Sequence, residues 1–243
     1  MGNFIEGLKT GIYQTFILDN NYQYFIRGLG VTLLVTIFAL LIGIVLGVIV
    51  AIIRSAHDQQ TEKKKGIVLQ LANGICQIYL TVIRGTPMLV QLLIMWFVIW
   101  ASARATDGNM IRCAILSFGI NSGAYIAEIV RSGIMSIDKG QMEAGRSVGL
   151  TYATTMRCII IPQAFKNVLP ALGNELITLV KETSVVTVIG LKDLTKGAMI
   201  IQAKTYQALV PFFAIAAIYL VIVLFLSWLM SRLERRMRQS DIR

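Results

Sequence analysis

One histidine, three cysteines and a charged fraction of only 15% are what 243 residues offer to solution chemistry. A lone His57 leaves no imidazole cluster for a metal and no Ser-His-Asp set for nucleophilic catalysis. Cys76, Cys113 and Cys158 are odd in number, scattered and mostly inside apolar stretches, which speaks against a disulfide framework or a Cys-x-x-Cys metal site. They read as small buried hydrophobes. No G-x-x-x-x-G-K-[ST] stretch is present, so the chain has no phosphate-cradling loop of that kind. Nor does any nucleophile-base pair or metal-ligand cluster suggest a membrane-embedded enzyme. So little charge would leave a water-soluble domain short of polar surface.

What is abundant is apolar length. Hydrophobic residues make up 56% of the chain, and charge-free runs occupy 31–53, 66–83, 85–103, 113–127 and 206–231. A further segment, 170–186, is helical in pattern but spotted with polar residues. Runs of this length mark an all-α, polytopic membrane protein. Glu6, Asp19 and the polar stretch before the first long run argue against a cleaved signal peptide. The net charge of +10 comes from basic residues at the ends of apolar runs, without an aromatic-interleaved patch, so it reads as a topology signal and not as a nucleic-acid surface.

Counting that charge orders the runs. Gln70, Asn73, Gln77 and Thr81 recur at three and four residues and put one wet stripe along 66–83. Only Arg84-Gly85-Thr86-Pro87 separates this run from the next, and Pro87 favours a break. Taking 66–103 as one crossing with a broken first half gives five spans, with the N-terminus outside and the C-terminus in the cytoplasm. The cytoplasmic segments 54–65, 131–166 and 232–243 then hold 14 Lys and Arg, against 8 in the external segments 1–30, 104–112 and 181–204. Letting both middle runs cross would move Lys63, Lys64 and Lys65 outside and nearly erase the bias.

The longest cytoplasmic excursion contains "QMEAGRSVGLTYATTMRCIIIP", residues 141–162, a charged and glycine-bearing stretch in an otherwise apolar chain. Met142, Val148 and Met156 are apolar in this polar setting, as in a short amphipathic helix docked on a partner or resting on lipid headgroups. Gly149 is placed to end that helix, and Pro162 to begin the next.

This stretch resembles the EAA loop of ATP-binding-cassette importer permeases: Glu143, Ala144, Gly149, Ile159 and Pro162 fall in register. Gly145 replaces the second Ala of the pattern, and Ile161 its Leu. The blocks "RGTPMLVQLLIMWF", "SGAYIAEIVRSGIMSIDKGQMEAGRSVG" and "PQAFKNVLPALGNELITLVKETSVVTVIGL" are similar to the polar amino acid branch of those permeases, which serves histidine, arginine, lysine, glutamine and glutamate. The likeness runs from about Gly28 to the final helix. Segments 1–20 and 57–65 do not contribute to it.

The resemblance implies the type I importer permease fold: an external segment 1–24, a membrane domain 25–236 with a coupling loop at 136–160, and a cytoplasmic tail 237–243. It also implies a multi-pass location in the cytoplasmic membrane of a prokaryote. A separate ATPase dimer would bind from the cytoplasm and use ATP and Mg, while the chain itself carries no cofactor. Glu143, Ala144, Gly145, Arg146, Gly149, Ile159 and Pro162 would then form the coupling element, the small residues allowing close approach and the charged ones offering rim contacts. An external amino acid-binding protein would deliver the solute. Five helices are too few to surround a path for an amino acid, so a second permease subunit is expected, with a homodimer favoured.

Polar residues within the spans suggest where a solute would pass. Ser117, Asn121, Tyr125, Glu128 and Ser132 form one helical stripe, and Asn174, Glu175, Thr178, Lys181 and Glu182 another. Ionisable groups in a span cost on the order of 3 kcal/mol on insertion scales and usually face a cavity or one another. A zwitterion needs a carboxylate for its ammonium and a cation or backbone donors for its carboxylate. Glu175, with Thr178 on the same face, is the candidate for the ammonium or a basic side chain. Arg84 and Gln91 are candidates for the solute's other polar end, and Asn121 and Tyr125 complete the expected binding set. The structural alternative pairs Glu175 with Arg84 or Lys181. Glu128, three residues before Arg131, is expected to make a structural ion pair. A second functional reading is an ion-coupled secondary amino acid carrier, but that class predicts an internal repeat and usually more spans.

Overall fold

A computed structural model describes residues 2–59 and 66–239. The lysine run at 63–65, on which the charge count leans, lies outside the described residues. Helices dominate: α1 (Gly2–Ile12), α2 (Tyr22–Gln59), α3 (Ile67–Gly85), α4 (Met88–Ile94), α5 (Asp107–Met135), α6 (Lys139–Ser147), α7 (Tyr152–Thr155), α8 (Ile161–Glu182), α9 (Leu194–Thr205) and α10 (Leu209–Gln239). Among the described residues there is no strand. A span-length helix is what a bilayer demands, since every backbone N–H and C=O must be satisfied within the segment. Among the described residues four helices are long and apolar enough to cross a membrane, namely α2, α3, α5 and α10, while Met88–Ile99 is a shorter apolar helix. The break between α3 and α4 falls where Pro87 predicts it, with Thr86 extended at φ −122° and ψ 145°.

Two compact units divide the chain. The first comprises 1–39, 89–118 and 177–226, and the second 40–88, 119–176 and 227–243. In the first, Phe25, Leu194, Ala198 and Ile201 form a buried core flanked by Tyr24, Ile215, Ile218 and Tyr219. Its polar anchor is Asp193, fully buried, which caps α9 by accepting the amide N–H of Lys196 at 2.9 Å and of Thr195 at 3.1 Å. Burial pushes this carboxyl above its ordinary range, and the bonds from the Lys196 and Thr195 amides pull the other way. Gly28 lets α2 approach this turn: a Cβ there would lie 2.6 Å from the Asp193 carbonyl oxygen.

In the second unit α2 and α5 meet through glycine. A Cβ on Gly47 would sit 2.6 Å from Ile126 Cγ2 and 2.9 Å from the Ala127 nitrogen, so only a residue without a side chain allows the backbones this close. Val50, Cys76, Leu80, Ala124 and Ala127 bring α2, α3 and α5 into one core. Tyr79 ties α3 to α5 by donating its hydroxyl to the Ile120 carbonyl at 2.5 Å.

Candidate functional site

The second unit holds a cavity of about 640 Å3 whose lining includes Arg84, Tyr125, Glu128, Ser132, Asn167 and Glu175, within the size range of small-molecule sites. Three helices supply these groups. α3 ends at Arg84, α5 presents Tyr125, Glu128 and Ser132 along the stripe expected from the sequence, and α8 brings Asn167 and Glu175. Close packing of α5 on α8 fixes the depth of the wall: a Cβ on Gly133 would lie 2.2 Å from Val168 Cγ2, and Asn167 donates to Ser136 Oγ at 3.0 Å.

Glu175 is half-buried, and Ser122 donates its hydroxyl to Glu175 Oε1 at 2.7 Å. That bond is short, as charge-assisted bonds are, and it aims one carboxylate oxygen. Arg84 lies over the Tyr125 ring, 5.6 Å from its centroid, and makes an ion contact of 3.8 Å with Glu128. The cavity therefore has an acid and a base in its wall, oriented by a serine and an aromatic face.

Glu128 does form the ion pair expected with Arg131, at 3.7 Å, but that pair is the weaker part of a larger cluster. Arg54 of α2 donates to Glu128 at 3.2 Å, and Arg131 makes its short bond to Asp58 at 2.9 Å. Sequence reasoning missed Arg54, Asp58 and Ser122. Arg54 directly follows the first apolar run and counted only as a topology charge, while Ser122 stands one position off the polar stripe.

The other expected solute residues are distributed differently. Asn121 belongs to the same unit but is buried and does not line the cavity. Gln91 and Thr178 are half-buried in the other compact unit and do not line it either.

The coupling segment folds locally as its residues dictate. Asp138 caps α6 by accepting the Gly140 amide at 2.6 Å. At the other end Gly149 adopts φ +85°, its N–H bonds the Arg146 carbonyl at 3.1 Å, and the Leu150 N–H reaches the Gly145 carbonyl at 3.1 Å. This is the glycine-ended helix stop the sequence predicts, with both reverse bonds in place. Glu143, Ala144, Arg146 and Gly149 are exposed, and Val148 is 77% exposed. Beside α6 a groove of about 480 Å3 is lined by Ile134, Met142, Tyr152 and Met156 together with the charged Asp58, Lys139, Glu143 and Arg146.

One expectation needs correction here and another needs refinement. Gly145 was expected on the docking face, yet it is buried. A Cβ there would stand 2.5 Å from Cγ2 of the fully buried Thr155, so its close approach is to its own chain. Pro162 does stand in the first turn of α8, but the helical run extends upstream of it. That helical run begins at Tyr152, capped by Thr151, which accepts the Thr154 amide at 3.2 Å. The run widens into a π turn at Met156–Ile160 before continuing as α8. The wider turn accommodates a proline that would otherwise collide with the carbonyl one turn earlier. Ile159 is half-buried and Pro162 exposed within this run.

With this geometry in place, similarity to known proteins is informative. The arginine transport system permease protein ArtQ of Bacillus subtilis (strain 168) is 38% identical over 188 residues, covering 72% of this chain and 85% of that protein. The glutamine transport system permease protein GlnP of Escherichia coli (strain K12) is 41% identical over 168 residues, covering 69% and 77%. A chain from the crystal structure of an amino acid ABC transporter with histidines superposes with a TM-score of 0.78 at 43% identity, covering 88% of this chain and 94% of that one. The profile of the binding-protein-dependent transport system inner membrane component matches residues 70–239. The α5 and α8 walls, the coupling segment and the final helix all lie within that match, and the chain belongs to the family of binding-protein-dependent transport system inner membrane components.

Proposed function

We propose that this chain is the permease subunit of an ATP-driven importer for a polar amino acid. The observation that carries the reading is the pairing of Glu175 and Arg84 in one cavity wall. A carboxylate aimed by Ser122 suits an ammonium, and a guanidinium suits a carboxylate bidentately. Tyr125 offers its ring and hydroxyl beside them, and Asn121 backs the same helix. Gln91 and Thr178 serve the solute elsewhere along its path. The names of the relatives, which include arginine and glutamine permeases, support an amino acid as the solute.

In this reading five spans cross the cytoplasmic membrane of a prokaryote, with α3 and α4 forming one broken crossing, α8 the fourth span, the N-terminus outside and the C-terminus in the cytoplasm. The exposed Glu143, Ala144, Arg146 and Gly149 meet a groove in a separate ATPase, with Ile159 and Pro162 in the helix that carries the movement back. That ATPase, a dimer, uses ATP and Mg, and the chain itself hydrolyses nothing. A second copy of the permease completes the path, and an external binding protein delivers the solute.

The test is reconstitution of the chain in liposomes with and without its ATPase and binding protein, followed by uptake competition across arginine, lysine, histidine, glutamine and glutamate. Uptake that needs ATP and both partners is expected. Uptake driven by an ion gradient with the chain alone would replace this reading by the secondary carrier.

A further inference from the structure

Three guanidiniums converge on Glu128, and they are not held alike. Among the described residues Arg54 donates a hydrogen bond to it, at 3.2 Å. Arg131 stands 3.7 Å from it and makes its shorter contact with Asp58, at 2.9 Å. Arg84 has only the long 3.8 Å contact and the Tyr125 ring. Asp58 and Glu128 thus each have their nearest arginine in a residue other than Arg84. Arg84 is also the most exposed of the three side chains, at 44% against 17% for Arg54 and 28% for Arg131. It lines two cavities: the one with Glu175, and another of about 530 Å3 with Arg54, Gln77 and Thr81. Counting Asp58, Glu128 and Glu175 against the three arginines, the charges balance, which matches a solute whose main-chain groups carry no net charge.

We infer that Glu128 is a positioning residue that sets how strongly Arg84 receives the solute's carboxylate, by competing for Arg84 while Arg54 competes for Glu128. The inference rests on the solute-cavity reading above. Arg84 leaves a loose contact when solute enters and returns to it on release, so binding stays weak enough for the solute to leave. Removing the charge of Glu128 frees Arg84 for the solute, whereas removing Arg54 frees Glu128 Oε1, the oxygen that Arg84 also faces, to hold Arg84 more strongly. The two substitutions therefore act in opposite directions. General loss of structure would move both the same way.

The experiment is direct binding to the complete detergent-solubilised complex without its binding protein. The probes are L-arginine against agmatine, L-lysine against cadaverine, L-histidine against histamine and L-glutamine against 4-aminobutanamide. Each amine lacks the carboxylate, and the pair used is the one whose amino acid the wild-type complex binds most tightly. Preference is the affinity for the amino acid over its amine. Glu128→Gln should raise the preference roughly two- to fivefold, the scale of one partly exposed ion pair, and slow solute release. Arg54→Gln should lower it by a similar factor, and Glu128→Asp should restore the wild-type value. Arg84→Gln should abolish most of the preference, about tenfold or more. Should Glu128→Gln fail to fold, the fall in Arg54→Gln still decides. Unchanged preference in a folded Glu128→Gln or Arg54→Gln, with Arg84→Gln impaired, overturns the inference alone. Absence of amino acid binding, or indifference to both Arg84→Gln and Glu175→Gln, overturns the solute-cavity reading with it.

Discussion

α5 and α10 are both long enough to cross a bilayer, yet they live in different surroundings. In the most apolar window of α5, 61% of residues are buried by the rest of the chain, against 11% for α10. α5 is the more polar of the two, with Ser117, Asn121, Ser122, Tyr125 and Glu128 along it, while α10 exposes Leu220, Val221, Leu224, Phe225 and Trp228. In water the apolar helix would be the buried one. In lipid the order inverts, because hydrocarbon is as good a neighbour for leucine as protein is, and polar side chains must find protein partners. Between these two helices, the more apolar one is left exposed by its own chain and the more polar one carries the cavity groups.

That contrast breaks most visibly at the α2–α5 contact. Gly47→Leu places a side chain where Ile126 and the Ala127 backbone already stand, and overpacking of this kind costs about 1 to 3 kcal/mol. Thermal unfolding of the purified permease should shift down clearly. A wild-type melting point would mean that α5 is not packed as described.

Gly149→Val sharpens the contrast from outside the bilayer. A β-branched residue forced into the left-handed region costs roughly 1 to 2 kcal/mol, and no neighbour lies within 4 Å of the added Cβ, so the strain falls on the α6 stop alone. The expected outcome is a permease that inserts and purifies normally but loses its ATPase or its ATP-driven uptake. Full uptake would remove α6 from the coupling role.

The smallest effect belongs to α10. Leu224 is 59% exposed, and Leu224→Ala should change stability by less than about 0.5 kcal/mol, as surface substitutions do. A loss as large as that of Gly47→Leu would show that this face is covered by protein and not by lipid.

Local features of the fold were legible in the sequence, and long-range ones were not. Gly149 announced its positive φ because a helix stop needs only the residues around it. Pro87 announced the α3–α4 break for the same reason. Pro162 marked the first turn of α8, but the helical run before it was not legible, since nothing in the sequence marks a π turn. The polar stripe on α5 placed Tyr125 and Glu128 correctly on one wall, because helical periodicity is set by the backbone. The Arg54–Glu128 bond spans 74 residues, and no periodicity reaches across two helices. Gly145 packs against Thr155 through the turn between α6 and α7, a contact that no local pattern encodes.

Glu175 is the charge proposed to receive the solute, and Glu175→Gln tests that role with least disturbance, since size and most hydrogen bonding are kept. The measurement is ATP-driven amino acid uptake by the reconstituted complex, with folded yield and binding-protein-stimulated ATP hydrolysis followed in the same preparation. A charge-assisted hydrogen bond of roughly 1.5 to 3 kcal/mol predicts a fall in uptake efficiency of about one to two orders of magnitude, at normal yield and with stimulated hydrolysis retained. Wild-type uptake at wild-type yield would contradict it.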